Sequence, residues 1–319
     1  MDVTMSYATQ DIWTWWIAIY LYFGGLGAAT LAVTFLTDMY LKPHRDLVLW
    51  GAWSGIVLLA LGSLMLFGHL LDHVAVIHVL NPLVLFYQPH AWIAWGTQFI
   101  IWMMFWGVLY ALPYMYISPF FQKLWGVNRV MDWGWVQKIA ELSTRYRKFI
   151  GWMATINGVG VAVYTGLLVQ SFPAVALWHN PGIPLLFTVS AFSTAMAFLL
   201  LLMYVVIHDA ADDHIRVLYE RIDLVLISVE LVIIFSFYQF MSSGDESAMR
   251  SLQLLWNDLG WLIGFIGFGL VVPFLLELRG VLKGWTSHVP IVAASLLILV
   301  GGYLLRHYIM YNGVYAYPW

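Results

Sequence analysis

Long apolar runs separated by short polar stretches set the pattern of this chain. An apolar run of about 18 residues or more, wound as a helix, crosses roughly 30 Å of hydrocarbon. The pattern predicts eight such helices, at 12–37, 47–71, 90–117, 149–171, 184–207, 222–241, 255–276 and 289–308. Aromatic side chains suited to the membrane–water boundary mark several ends: Trp13, Trp15 and Trp16, then Trp125, Trp133 and Trp135, and Trp285 before the last span. The fold class expected is therefore all-α, a polytopic membrane protein forming one integral-membrane domain over 1–319. The opening MDVTMSYATQD is acidic, and the apolar run behind it is too long for the core of a cleavable signal, so a retained first helix is expected.

Composition agrees. Hydrophobic residues make up 62% of the chain and charged residues 10%, against about a quarter charged in a soluble domain. The net charge of -3 says less than its distribution. Lys42, Arg45, Lys123, Arg129, Lys138, Arg145, Arg147, Lys148, Arg216, Arg221, Arg279 and Lys283 fall in the odd-numbered loops, and only Arg250 and Arg306 fall on the other side. Twelve of the 14 cations on one side predict that this side is cytoplasmic and both termini are not. There is no cysteine, which excludes thiolate-ligated clusters, c-type haem attachment and disulfides within this chain. Any iron–sulfur cluster must sit on a partner.

Small residues at helical spacing, Gly51/Gly55, Gly158/Ala162/Gly166 and Gly260/Gly264, predict close helix contacts. Gly24, Gly25 and Gly27 suit either close packing or the approach of a ligand to the backbone. The longest loop, about 118–148, reads equally as a basic cytoplasmic loop or as holding an interfacial helix around Val130–Tyr146, with Lys138, Arg145 and Arg147 toward lipid head groups.

Titratable chemistry concentrates between the second and third spans, in Gly68–His90. This stretch has no Lys or Arg and carries His69, His73, His78, His90 and Asp72. On a helix His69, Asp72 and His73 share a face, where a carboxylate orients an imidazole and suits it to proton exchange near neutral pH. Interfacial histidines without a role fit the same pattern, and a metal fits the His-x-x-x-His spacing poorly with one carboxylate and no thiol. No metal site is expected.

Inside the spans, Glu230 is the sharpest signal, because an ionisable group at that depth costs several kcal/mol unless it is paired or faces water. Asp223 lies two turns earlier on the same face, so the two could begin a proton path; a hydrogen-bonded Glu230 that fixes helix packing is the alternative. Asn157 and Tyr164 point polar groups into the bundle. Arg306 and His307 end the eighth span, where Arg306 could snorkel to water, pair with Asp72 or donate to a quinone oxygen. Haem b needs two histidines facing each other across helices, and the histidines here cluster at helix ends and loops, which disfavours a haem b membrane anchor but keeps it as a second rival reading.

These residues resemble, in order and spacing, the integral-membrane quinone-reactive subunits typified by the C component of polysulfide reductase and the NrfD protein of nitrite reduction. The resemblance runs through Trp16–Leu26 (WIAIYLYFGGL), Asp72, Trp95-Gly96, Tyr164-Thr165-Gly166-Leu167-Leu168, Trp178 and Pro184–Phe187 with Ser190. It continues through Ile222-Asp223 to Glu230, Pro273 and Gly301–Arg306. It implies eight helices in two four-helix bundles without haem, a menaquinone or ubiquinone site near the external face, and a docked ferredoxin-like iron–sulfur subunit. That partner would serve a molybdopterin or multihaem cytochrome catalytic subunit. In many relatives the acidic residue is soon followed by Pro and Arg; here His73-Val74-Ala75-Val76 follows, which leaves the roles of His73, His78 and His90 open.

The expected function is a membrane anchor and quinone-binding electron-transfer subunit of a respiratory oxidoreductase in the cytoplasmic membrane. Asp72 and His69 would exchange protons with the quinone, Tyr164, Trp178 and Arg306 would hold it, and Asp223 and Glu230 would contribute a proton path. A solute transporter or ion channel, suggested by the buried acids and by Pro82 and Pro113, is the rival. Inverted repeats would be expected of a transporter, and the sequence offers no convincing one.

Overall fold

A computed structural model describes residues 5–11, 13–69, 76–207, 213–284 and 287–318. Eight helices in it are long and apolar enough to cross a membrane, as the hydropathy pattern predicts. The first, α1 (Trp15–Leu41), is apolar on every side and has 83% of its span buried. A helix without a polar face belongs in the interior, and α1 packs against α2 (Arg45–His69), α9 (Arg147–Gln170), α10 (Gly182–Leu202) and α14 (Val289–Tyr311). It stops at Lys42, whose φ of 50° is left-handed, and Pro43 follows. Proline cannot continue a helix, so the chain reverses within three residues into α2.

The short connection after α2 contains α3 (Val76–Leu80) and α4 (Val84–Tyr87) and leads to α5 (Trp92–Met115). α5 packs on α2 and α9. The longest loop folds as α6 (Pro119–Lys123), α7 (Val127–Met131) and α8 (Gly134–Arg145). α8 is an amphipathic helix, as one reading of this loop expects: Val136, Ala140 and Ser143 form its buried stripe, while Lys138 and Arg145 are exposed. Arg147, expected beside them toward lipid head groups, instead starts α9 and pairs with Asp38. A wide-turned π segment, Met203–Ile207, ends the fifth span.

Several boundaries differ from the sequence expectation, the starts of the sixth and seventh spans among them. α11 (Asp213–Ser242) starts nine residues before the predicted 222, because Asp213 and Arg216 pair one turn apart (3.4 Å) and carry the helix beyond the apolar run. The seventh span starts at Gly260, not 255, because Leu252 and Leu255 are the buried face of a separate amphipathic helix, α12 (Glu246–Asn257). The Asp245 carboxylate caps α12 by accepting from the Ala248 N–H at 2.9 Å. The seventh span opens with a π segment, Gly260–Val271, and continues as α13 (Val272–Lys283). Pro273 has no N–H for the carbonyl of Gly269, so a regular ladder cannot form there.

Both termini lie on one face, joined by antiparallel strands β1 (Met5–Thr9) and β2 (Val314–Pro318), with Met5 opposite Pro318. The Val314 N–H donates to the Ser251 hydroxyl (3.0 Å), which seats this sheet on α12.

Candidate functional site

Arg306, on α14, is completely buried. Of the three uses the sequence leaves open for it, snorkelling to water is not seen, because α14 continues past it to Tyr311 and turns it inward. Its Nη1 donates to the Gly302 carbonyl (2.6 Å) and the Ser190 hydroxyl (3.3 Å), and its Nη2 to the Phe187 carbonyl (3.1 Å). The guanidinium lies 5.7 Å from the Tyr22 ring and 5.2 Å from the Phe187 ring, distances at which aromatic faces attract a cation. Gly25 makes room for it: a Cβ there would stand 3.4 Å from Nη2 and 3.3 Å from Ala191. Of five donors, Nε has no partner among the described residues.

On the other side of α1, Tyr20 donates its hydroxyl proton to the Tyr164 oxygen at 2.9 Å, both side chains fully buried. Tyr164 therefore keeps its own proton for another acceptor. Its ring lies across α5 directly over Gly96, where any side chain would collide with it. α1 thus separates two polar nests: Tyr20 faces Tyr164 on α9, while Tyr22 and Gly25 face Arg306 on α14. Trp178 holds the adjoining loop together. Its indole N–H donates to the Ile309 carbonyl (2.8 Å), and its ring stacks on Trp13 at 5.2 Å. That donor is already committed, so Trp178 offers a ligand only a ring.

From the Arg306 nest a line of buried carboxylates runs toward the opposite face. Glu230 lies beside Ser190, within the field of Arg306. Asp223 lies beside Ser193 of α10 and Glu277 of α13, and Glu220, equally buried, is one turn further along α11. Both Asp223 oxygens, Glu230 Oε1 and Glu277 Oε2 have no hydrogen-bond partner among the described residues. From Glu220 to Glu230 the helix rises about 15 Å. The structure brings Arg306 and Glu230 together through Ser190, and Asp223 together with Glu277; Asn157 instead closes on its own helix by donating to the Met153 carbonyl (2.7 Å).

Asp72 and His73 lie outside the described residues. His69 is the last residue of α2, its side chain likewise outside them; Gly62 of α2 packs on Gly24 of α1, so His69 stands about 10 Å further along the axis. His78 and His90 are exposed. Sequence reasoning did not single out Glu220, Glu277, Tyr20 or Tyr22. It also did not single out Asp38, which lies at the other end of α1 and accepts from Tyr110 (2.6 Å) and Tyr114 (2.7 Å) while pairing with Arg147.

The family model for polysulphide reductase, NrfD, matches residues 4–318. The chain is 26% identical to protein NrfD of Escherichia coli (strain K12), over 95% of each chain. It is 23% identical to the C component of polysulfide reductase of Wolinella succinogenes, over 95% of this chain and 94% of the relative. It is also 23% identical to the C component of selenate reductase of Mesobacillus selenatarsenatis, over 97% of this chain and 77% of that one. With eight apolar spans and a match over nearly its whole length, this chain is a multi-pass membrane protein that belongs to the NrfD family of polysulphide reductase.

Proposed function

We propose that this chain is the quinone-reactive membrane subunit of a respiratory oxidoreductase, exchanging electrons with an iron–sulfur partner subunit that serves a separate catalytic chain. Two relatives are named as components of polysulfide and selenate reductases, which supports a membrane subunit of an oxidoreductase complex. The observation that carries the quinone reading is the buried Tyr20–Tyr164 pair, which leaves Tyr164 a proton to donate, with the buried charge of Arg306 across one helix, its Nε without a partner among the described residues. The donors fit a quinone: two carbonyl oxygens need fixed N–H or O–H groups, and apolar rings must flank the head group. A bound menaquinone or ubiquinone would supply two-electron, two-proton chemistry. Tyr164 would orient it by its hydroxyl, Arg306 would act on it from across α1 as a fixed positive charge, and the Trp178 ring would close one wall.

Asp72 and His69 then exchange protons between the site and water on the face that holds the termini; the cation distribution supports placing that face on the periplasmic side of the inner membrane. The iron–sulfur subunit docks on the same face. Asp223 and Glu230, joined by Glu277 and Glu220, supply lone pairs along a route to the cation-rich face. The test is Asp72→Asn in the assembled complex. Quinol-dependent turnover is expected to be lost, while assembly and turnover with a soluble artificial donor persist. Unchanged quinol turnover would refute the role of Asp72.

A further inference from the structure

At the cation-rich face, the ends of α1 and α5 and the starts of α2 and α9 leave a cavity of about 530 Å³. Lys42, Arg45, Arg147 and Lys148 line it, with Asp38 the single carboxylate. Asp38 is already engaged by Arg147 and by the hydroxyls of Tyr110 and Tyr114. Lys42, Arg45 and Lys148 have no carboxylate in ion-pair range among the described residues. The cavity therefore presents three uncompensated cations, held apart by the left-handed Lys42 and the Pro43 turn.

A second depression, of about 500 Å³, adjoins it at Ser143, which lines both. This one is apolar, walled by Leu109, Ile139, Leu142 and Phe149 between α5, α8 and α9. Leu142 and Phe149 are each 55% exposed, which leaves the groove open to the surroundings.

A cationic cup that continues into an apolar groove at the depth of an interfacial helix matches an amphiphile with an anionic head. We propose that this face binds one anionic phospholipid, its phosphate among Lys42, Arg45 and Lys148 and an acyl chain along Leu109, Ile139, Leu142 and Phe149. A free phosphate would satisfy the cations but leave the groove unused, so the lipid is the favoured source. The site stands apart from the redox reading and would survive its failure.

The test places the full-length protein in phosphatidylcholine nanodiscs carrying a trace of spin-labelled phosphatidylglycerol or spin-labelled phosphatidylcholine. The immobilised fraction of each label is then measured. Phosphatidylglycerol is expected to be retained preferentially, and inorganic phosphate is expected not to displace it. The triple variant Lys42→Gln/Arg45→Gln/Lys148→Gln should lower the preference by about fivefold for each cation removed. Lys148→Gln alone, a change to one exposed side chain, should give about a fivefold loss, which keeps the test decisive if the triple variant fails to fold. Leu142→Trp, which fills the groove, should also weaken retention. Equal retention of the two labels, indifference to removing the cations, or displacement by inorganic phosphate would each overturn the proposal.

Discussion

Arg306 and Glu230 share Ser190 as a neighbour but form no direct ion pair, since the Arg306 hydrogen bonds go to Ser190, Gly302 and Phe187. Removing a charge from water costs several kcal/mol unless its partners are well placed, and Glu230 Oε1 has none among the described residues. A carboxyl kept only for packing would be replaced without loss by the isosteric amide, which both donates and accepts. A carboxyl that carries a proton would not. Glu230→Gln is therefore expected to leave the thermal midpoint unchanged or slightly raised. Quinol turnover should fall on the order of 10²-fold, the usual worth of a positioned proton-transfer group. Glu230→Asp should recover part of it. Normal turnover in the glutamine variant would assign Glu230 to scaffold. Tyr164 supplies a second check at the same scale. Gly96→Ala pushes on its ring, and overpacking of this kind costs about 1–3 kcal/mol. Turnover should fall in Gly96→Ala, which displaces the Tyr164 hydroxyl, and in Tyr164→Phe, which removes it.

Between elements, α1 and α2 approach closely. A Cβ on Gly27 would sit 2.6 Å from the Leu59 nitrogen and 2.8 Å from the Gly55 carbonyl oxygen, backbone atoms that cannot rotate away. Gly27 therefore serves packing, and Gly25, which lies against the Arg306 side chain and Ala191, is close packing as well. Gly27→Ala should lower the thermal midpoint of the purified protein by several degrees, whereas Gly134→Ala, with nothing within 4 Å, should leave it unchanged. Equal midpoints would show that α1 and α2 separate freely. Hydropathy located all eight spans but clipped the ones that matter chemically. The expected ends at 37 and 276 and the start at 222 each fall just short of a buried acid, Asp38, Glu277 and Glu220. A charged residue ends an apolar window whether it faces water or the interior, and only neighbours from other helices tell the two apart. Arg306 was legible as a candidate because it lies inside the predicted span 289–308, is one of two cations off the cation-rich side, and ends the Gly301–Arg306 stretch of the resemblance. Its partners Tyr22 and Phe187 come from helices far away in sequence, and no spacing rule would have joined them.

Over the whole molecule, the two faces differ in charge and in construction. One carries twelve of the 14 cations together with α6, α7 and the amphipathic α8; the other carries the paired termini and α12, whose Glu246 and Arg250 bond each other at 2.5 Å. Translocation of Lys and Arg across the membrane is disfavoured during insertion, so the cation-rich face should be cytoplasmic. The proposed quinone site and the direction of the acidic line depend on that orientation. The chain has no cysteine, so single substitutions report topology without a background to remove. Ser243, exposed between α11 and α12, and Gln122, exposed on α6, lie on opposite faces. In cells with a permeable outer envelope and an intact inner membrane, a membrane-impermeant maleimide should label Ser243→Cys. It should reach Gln122→Cys only after the inner membrane is opened. The reverse order would invert the protein and turn the proton route from the Arg306 nest outward, and the iron–sulfur partner would then have to dock from the cytoplasm.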